Sequence, residues 1–215
     1  MPFVKSIKVE NGVLGLWKLS ENSKELINIF QFSQAEKQEF SKFTGERRKT
    51  EYLATRLLLQ KLFNQKTEIT HINSGKPQIL NSNLNISISH SADYVAVYVS
   101  EVKNGIDVEN QFRKIDKVVP RFLNKNELDW IEKSNKSQFL KIMLWCAKEA
   151  IFKCSEQSGV QFNEQIFIDL FDFEKTNCFY GTLVAQNCKE NYLLRYFNIQ
   201  NNIVVYCVEE HKNSI

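Results

Sequence analysis

Glycine and proline are scarce in this sequence of 215 residues, which contains seven glycines and three prolines. Average usage predicts about 15 glycines and about 11 prolines in a chain of this length. The shortage excludes collagen-like chains and disordered chains rich in proline or glycine. With 43% hydrophobic and 25% charged residues, the composition is typical of a globular protein with one large domain or two small ones.

Long hydrophobic runs and paired cysteines are also lacking. No apolar segment approaches the length of about 18 residues that spans a membrane, and the N-terminal residues lack the apolar core of a secretory signal. The five cysteines contain no Cys-x-x-Cys pair. We therefore expect a cytoplasmic protein with reduced, mostly buried cysteines and no membrane partner. A net charge of +3 with only six arginines makes nucleic acid an unexpected partner.

Local patterns predict an α+β protein in which helices precede a group of strands twice. The change falls near Lys103, so we expect two tightly packed α+β halves, residues 1–103 and 104–215; the alternative is a single α+β domain. Turn residues between the middle strands favour an antiparallel meander over 85–109. The predicted helices cover 46–64 and 139–154, capping boxes start at Ser33 and Asn124, and the predicted strands are 13–17, 85–89, 94–100, 105–109, 166–173, 178–185, 192–198 and 203–208.

Two carboxylates alternate along the predicted strand Gly105-Ile106-Asp107-Val108-Glu109. Because side chains of a strand point alternately to its two faces, Asp107 and Glu109 share one face. Two like charges about 5 Å apart repel by about 3 kcal/mol at an effective dielectric constant of about 20. The strand therefore presents either a solvated polar face or half of a cation site.

A stripe of unusual composition follows the predicted helix 139–154. At 100° per residue, Trp145, Glu149 and Lys153 lie on one face, with Lys148 to the side. The stripe is either a solvated face with an ion pair or a site in which the pKa of an acid or base is shifted by its surroundings. If Glu149 converges on the two strand carboxylates, a hard cation with oxygen ligands, above all Mg²⁺, would relieve their repulsion.

Two further segments could bind phosphate. Gly75-Lys76-Pro77 is a turn that presents a lysine, and Ser89-His90-Ser91 ends a strand with hydroxyls and an imidazole. A histidine in this position is otherwise a structural residue. No P-loop and no Gly-x-Gly-x-x-Gly motif is present, so nucleotide folds built on those motifs find no support.

Taken in order, these segments resemble the motifs of the 4'-phosphopantetheinyl transferase superfamily, of the surfactin-synthetase-activating type. The family motifs Gly-Lys-Pro, Ser-His, Gly-[IV]-Asp-x-Glu and Trp-x-x-Lys-Glu-Ala-x-x-Lys are all matched between residues 75 and 153. Upstream, the segment from Arg47 to Arg56 resembles the basic helix of the family. The resemblance implies the family fold, two similar α/β halves packed as a pseudo-two-fold pair.

The resemblance also implies an activity, transfer of the 4'-phosphopantetheine group of coenzyme A to a serine of an apo acyl or peptidyl carrier protein, with release of adenosine 3',5'-bisphosphate. Glu149 would be the catalytic base, directly or through a water on the metal, and Lys153 would stabilise the transition state. The implied Mg²⁺ ligands are Asp107, Glu109 and Glu149. The implied coenzyme A ligands are Arg47, Arg48, Lys76, Pro77, Ser89, His90, Lys148 and Lys153.

Two other functions use parts of the same pattern. A metal-dependent nuclease would need clustered carboxylates and a lysine, although the low net charge is unfavourable for nucleic acid. A non-catalytic module that binds coenzyme A or a carrier protein would need the Gly-Lys-Pro and Ser-His segments but not three convergent carboxylates. A monomer is expected, because two halves in one chain supply both walls of a cleft.

Overall fold

The computed structural model describes residues 3–9, 11–71, 75–185 and 188–210 of the chain. These residues form the mixed helix and strand structure that the sequence predicts, and the α+β class is confirmed. The chain divides into two compact units, Met1–Glu101 and Val102–Ile215. Of the helices in the described part of the chain, none combines the length and apolar character that crossing a bilayer requires.

The first unit contains a four-stranded antiparallel sheet with the order β1-β2-β6-β5, and a separate β3-β4 pair. The sequence does not predict its first strand, because among the described strands this edge strand pairs with β2 alone and its lysines mask the apolar alternation. The elements are β1 (Phe3–Val9), β2 (Gly12–Lys18), α1 (Ser23–Ile27), α2 (Gln34–Phe40), α3 (Glu46–Phe63), β3 (Ile69–His71), β4 (Pro77–Ile79), β5 (Asn85–His90) and β6 (Tyr94–Ser100).

The centre of this unit is formed by β6 and α3. All seven residues of β6 are buried, as expected for a strand of β-branched and aromatic residues with neighbours on both sides. In α3, the ten residues 50–59 are all buried, so this helix packs on every face rather than through one stripe. It lies against β2, β6 and α1. Its position brings polar residues of the helix next to the end of β5.

The second unit contains a five-stranded antiparallel sheet with the order β7-β11-β10-β9-β8. The predicted meander over 85–109 is therefore wrong, because β7 pairs with β11 and belongs to this sheet. The strand predicted over 166–173 ends at Ile168. The elements are β7 (Asn104–Asn110), α4 (Val119–Phe122), α5 (Lys125–Glu132), α6 (Ser137–Ser155), α7 (Phe162–Gln165), β8 (Ile166–Ile168), β9 (Cys178–Ala185), β10 (Cys188–Ile199) and β11 (Asn202–Glu209).

The long helix α6 packs on this sheet and lies close to β7 and β11. Its buried positions carry apolar side chains such as Leu140, Met143 and Ile151, which join the core of the unit. The capping boxes predicted at Ser33 and Asn124 are both present, at the starts of α2 and α5. The five cysteines are free and three of them are buried, Cys146, Cys154 and Cys207, as predicted.

Gly105 permits the close approach of β7 and α6. A β-carbon on Gly105 would lie 1.8 Å from the carbonyl oxygen of Ala150. We expect Gly105→Ala to lower the free energy of unfolding, measured by urea denaturation, by about 3 kcal/mol, because helix and strand must separate. Gly45→Ala is the control: a β-carbon there meets no atom within 4 Å, and a loss below about 1 kcal/mol is expected. Equal losses at the two positions would contradict this account.

Candidate functional site

The two carboxylates of β7 lie on one strand face, as their alternation predicts. Asp107 is opposite Val205 and Glu109 is opposite Ile203 in the register with β11. The two acidic residues are only 6% and 8% exposed. They are therefore withdrawn from bulk water rather than displayed on a solvated polar face, which raises the cost of their charge unless cations are near.

The predicted stripe of α6 faces these carboxylates. The ammonium of Lys153 donates to Oδ1 of Asp107 at 2.8 Å and to the carbonyl oxygen of Ile106 at 3.0 Å. Trp145 packs edge-on against Phe122, with ring centroids 5.1 Å apart. The helix and the strand thus place an ion pair and an aromatic ring in one small region.

Glu149 lies between Trp145 and Lys153 on this stripe and is half-buried. Among the described residues, its carboxylate has no hydrogen bond and no ion pair. Burial raises the pKa of Glu149, and the charges of Asp107 and Glu109 act in the same direction. Together with Trp145 it borders a pocket of about 520 Å³. A carboxylate that is accessible, unpaired and more basic than usual can accept a proton or bind a cation.

One cation of this site, Arg113, was not identified from the sequence. It forms an ion pair with Glu109, its guanidinium lies 5.6 Å from the centre of the Trp145 ring, and its charge also acts on Glu149. It follows Glu109 by four residues, but the intervening segment turns after β7 instead of forming a helix. Spacing therefore carries no signal for this contact, and only the fold reveals it.

The negative charges of the three carboxylates support the predicted metal site, but the described side chains are not arranged as a set of metal ligands. As the side chains lie, no three acidic, histidine or cysteine residues in the described part of the chain are grouped to hold an ion. Asp107 and Glu109 are engaged by Lys153 and Arg113. Even so, the free carboxylate of Glu149 beside two others is an all-oxygen donor set with excess negative charge. That set fits a hard divalent cation such as Mg²⁺.

Lys148 has a different environment from the one predicted. Its side chain is fully buried, and its ammonium donates to Glu127 Oε2 at 2.8 Å and to the carbonyl oxygens of Phe162 and Ile166 at 3.1 and 2.7 Å. Three acceptors engage all three N–H groups, so none is left for a phosphate. We therefore correct its assignment from a coenzyme A ligand to a structural residue that joins α5, α6, α7 and β8.

The basic residues at the start of α3 share an acidic partner on the same helix. Glu51 Oε1 accepts from Nε of Arg47 at 2.8 Å, and Glu51 Oε2 lies 3.8 Å from Nη1 of Arg48. Both arginine side chains remain more than half exposed. Glu51 therefore offsets the unfavourable position of cations at a helix N-terminus and leaves both guanidinium groups accessible.

The Ser-His segment meets α3 through one side-chain contact. Thr55 donates its hydroxyl to the carbonyl oxygen of Glu51 at 2.7 Å, and its Oγ1 lies 3.4 Å from Nε2 of His90. The oxygen is thus left to accept a hydrogen bond from Nε2. On a helix, Arg48 lies within about 20° of Thr55, whereas Arg47 lies about 80° away. Arg48 is therefore the arginine on the His90 side of α3.

Lys76 immediately precedes β4, which begins at Pro77 and lies against β5. The preceding Gly75 has φ +83°, a backbone conformation that favours glycine, and forms a bend before β4. Ser89 on β5 is buried, and Lys76 is half-buried. The first unit thus contains the predicted basic and hydroxyl residues on neighbouring elements, whereas the second unit contains the carboxylates and Lys153.

Comparison with known proteins gives a family match for most of the second unit. Residues 104–210 match the profile of the 4'-phosphopantetheinyl transferase superfamily, a segment that contains Asp107, Glu109, Glu149 and Lys153. This match covers 107 of the 215 residues, just under half of the chain. A Haemophilus influenzae protein named provisionally as a 4'-phosphopantetheinyl transferase is 30% identical over 93 residues, which are 40% of this chain and 40% of that protein.

A solved structure is also similar to part of the chain. The crystal structure of Thermotoga maritima holo-acyl-carrier-protein synthase covers 52% of this chain, and the match spans 64% of that protein, at 17% identity and a TM-score of 0.37. The chain thus spans less than two thirds of either relative.

Proposed function

We propose that the protein is a Mg²⁺-dependent 4'-phosphopantetheinyl transferase of the surfactin-synthetase-activating type. It would transfer the 4'-phosphopantetheine group of coenzyme A to a serine of an acyl or peptidyl carrier protein and release adenosine 3',5'-bisphosphate. The observation that carries the proposal is the Glu149 carboxylate, unpaired among the described residues, near the Asp107–Lys153 ion pair and inside the segment that matches the superfamily. The four ordered motifs between residues 75 and 153 support the type.

Asp107, Glu109 and Glu149 would hold the Mg²⁺ ion. When bound, the ion would supply charge neutralisation for the pyrophosphate of coenzyme A. The three carboxylates are the oxygen ligands that Mg²⁺ prefers, and their shielding from bulk water strengthens their attraction for a cation.

The reaction exchanges one phosphorus–oxygen bond for another. Glu149 accepts the proton of the carrier serine as its oxygen bonds to the phosphorus that bears the pantetheine arm. The bridging bond of the pyrophosphate breaks, and adenosine 3',5'-bisphosphate leaves with the bridging oxygen. Lys153 donates to the phosphate oxygens on which negative charge increases, since its side chain is partly exposed and the carbonyl oxygen of Ile106 holds its ammonium in place.

The first unit would bind the phosphates at the adenosine end of coenzyme A. Arg48, Lys76, Ser89 and His90 supply guanidinium, ammonium, hydroxyl and imidazole donors for this purpose. Arg48 is preferred to Arg47 because it shares a helix face with Thr55, which contacts His90. Pro77 follows Lys76 and restricts the turn that presents the lysine.

A cytoplasmic monomer completes the proposal. All five cysteines are free, which is consistent with a reducing compartment. Because one chain carries both the proposed phosphate ligands and the proposed metal ligands, a second copy is not required to supply either set.

Mass spectrometry of a carrier protein tests the transfer. With coenzyme A and Mg²⁺, an apo carrier should gain the mass of one phosphopantetheine group, whereas a carrier whose acceptor serine is replaced by alanine should gain none. EDTA should abolish the gain and added Mg²⁺ should restore it. No gain on any of several acyl and peptidyl carriers would refute transferase activity. Coenzyme A binding that EDTA does not change would then favour a non-catalytic binding module. Cleavage of labelled DNA or RNA would instead favour a nuclease.

A further inference from the structure

Arg113 occupies a place among the proposed metal ligands that no motif assigns. It forms an ion pair with Glu109, while its side chain is 47% exposed and its guanidinium lies over the Trp145 ring. Its charge also acts on Glu149. One guanidinium thus pairs with a carboxylate on β7 and exerts a weaker electrostatic effect on a carboxylate of α6.

The backbone around Arg113 is held in place by several hydrogen bonds. Its amide donates to the carbonyl oxygen of Asn110 at 3.0 Å. The side-chain amide of Gln138, in the first turn of α6, donates to the carbonyl oxygens of Gln111 and Arg113 at 3.1 and 2.9 Å. Because α6 itself fixes this turn, the guanidinium is delivered to the carboxylates by the fold and not by a freely moving loop.

The charged groups named here leave a net charge of −1 when no metal is present. Asp107, Glu109 and Glu149 carry three negative charges when ionised, and Lys153 and Arg113 carry two positive ones. A divalent cation would reverse the sign of the region unless a side-chain cation withdraws. Arg113 is better placed to withdraw than Lys153, because Lys153 is only 27% exposed and also donates to the carbonyl oxygen of Ile106.

We propose that Arg113 is a built-in counter-ion that a divalent metal must displace from Glu109. This inference rests on the proposed metal site and adds a competitor to it. The guanidinium and the metal require the same carboxylate oxygens, so each weakens the binding of the other. After displacement, the face of Trp145 keeps the guanidinium nearby, since a cation is attracted to an indole ring. Arg113 is therefore a positioning residue that tunes metal affinity.

Isothermal titration of the full chain with MgCl₂, without coenzyme A and at constant ionic strength, tests this. Arg113→Ala and Arg113→Gln should each tighten Mg²⁺ binding about threefold to fivefold, the effect of one partly exposed ion pair. Arg113→Lys keeps the charge and should not tighten binding. Arg121→Ala is the control, because Arg121 lines the same pocket as Glu149 but is not among the charges found to act on it.

Three results would overturn the inference: unchanged or weaker binding in both neutral Arg113 variants, an equal gain in Arg121→Ala, or no Mg²⁺ binding by the wild-type protein. If the alanine variant does not fold, as judged by circular dichroism, the glutamine variant decides. Failure of the proposed function is separate. If the neutral Arg113 variants bind Mg²⁺ more tightly but the protein modifies no carrier, the role of Arg113 as a counter-ion is supported and the proposed transferase activity is refuted.

Discussion

Glu149→Gln is expected to lower the rate of carrier modification by about a thousandfold, within the usual range for loss of a general base. Glutamine has nearly the same shape but can neither accept the serine proton nor neutralise a bound cation. Because the Glu149 carboxylate has no hydrogen bond or ion pair among the described residues, the fold should lose little when its charge is removed. The rate is followed by mass spectrometry of the carrier.

The matched control for this substitution is Glu132→Gln. Glu132 is an exposed residue at the end of α5, and the same chemical change there should leave the rate unchanged. Circular dichroism and thermal unfolding of both variants check that the fold is intact. If Glu149→Gln keeps more than about a tenth of the wild-type rate, another group accepts the proton, and the assignment of Glu149 as base is refuted.

Lys148→Met is expected to lower the free energy of unfolding by about 3 to 5 kcal/mol, the usual loss when one partner of a buried ion pair is removed. Methionine matches the lysine side chain out to its ε-carbon but lacks the ammonium and donates no hydrogen bond. The Glu127 carboxylate would then remain buried without its cation, and the carbonyl oxygens of Phe162 and Ile166 would lose their donor. Urea denaturation measures the loss.

Lys141→Met provides a control on the same helix. Lys141 pairs with Asp116 at 2.7 Å, but this aspartate is 69% exposed, so the substitution should cost less than about 1 kcal/mol. Combining Lys148→Met with Glu127→Gln removes the stranded charge and should recover part of the loss. If Lys148→Met were no more destabilising than Lys141→Met, the buried pair would not stabilise the fold.

The contrast between Lys148 and Glu149 shows what the helix motif leaves undecided. The two residues are adjacent in sequence, and the motif implies that both bind a ligand. Burial lowers the pKa of Lys148, which lies inside the core, and raises the pKa of Glu149, which lies beside a pocket. Helical periodicity separates the two side chains by 100° but does not say which direction meets the core. Contacts with residues of α5, α7 and β8 determine that Lys148 is the one that enters the core.

The sequence alone determined the features that depend on near neighbours. Capping boxes need only residues three positions apart, the strands at 94–100 and 178–185 follow from local patterns, and the spacing of Trp145, Glu149 and Lys153 defines one helix face. Three of the four ordered motifs likewise lie within single elements, β5, β7 and α6. Such features were predicted correctly because their physical cause is contained in a few consecutive residues.

Only the tertiary structure decided which elements meet. It placed β7 beside β11 rather than in a meander, added the edge strand β1, enclosed Lys148 and brought Arg113 to Glu109. Each outcome depends on strand pairing or burial between segments distant in sequence, or on a turn whose shape another helix fixes. Composition and spacing do not predict those contacts, because the free energy that favours them arises only when distant segments pack together.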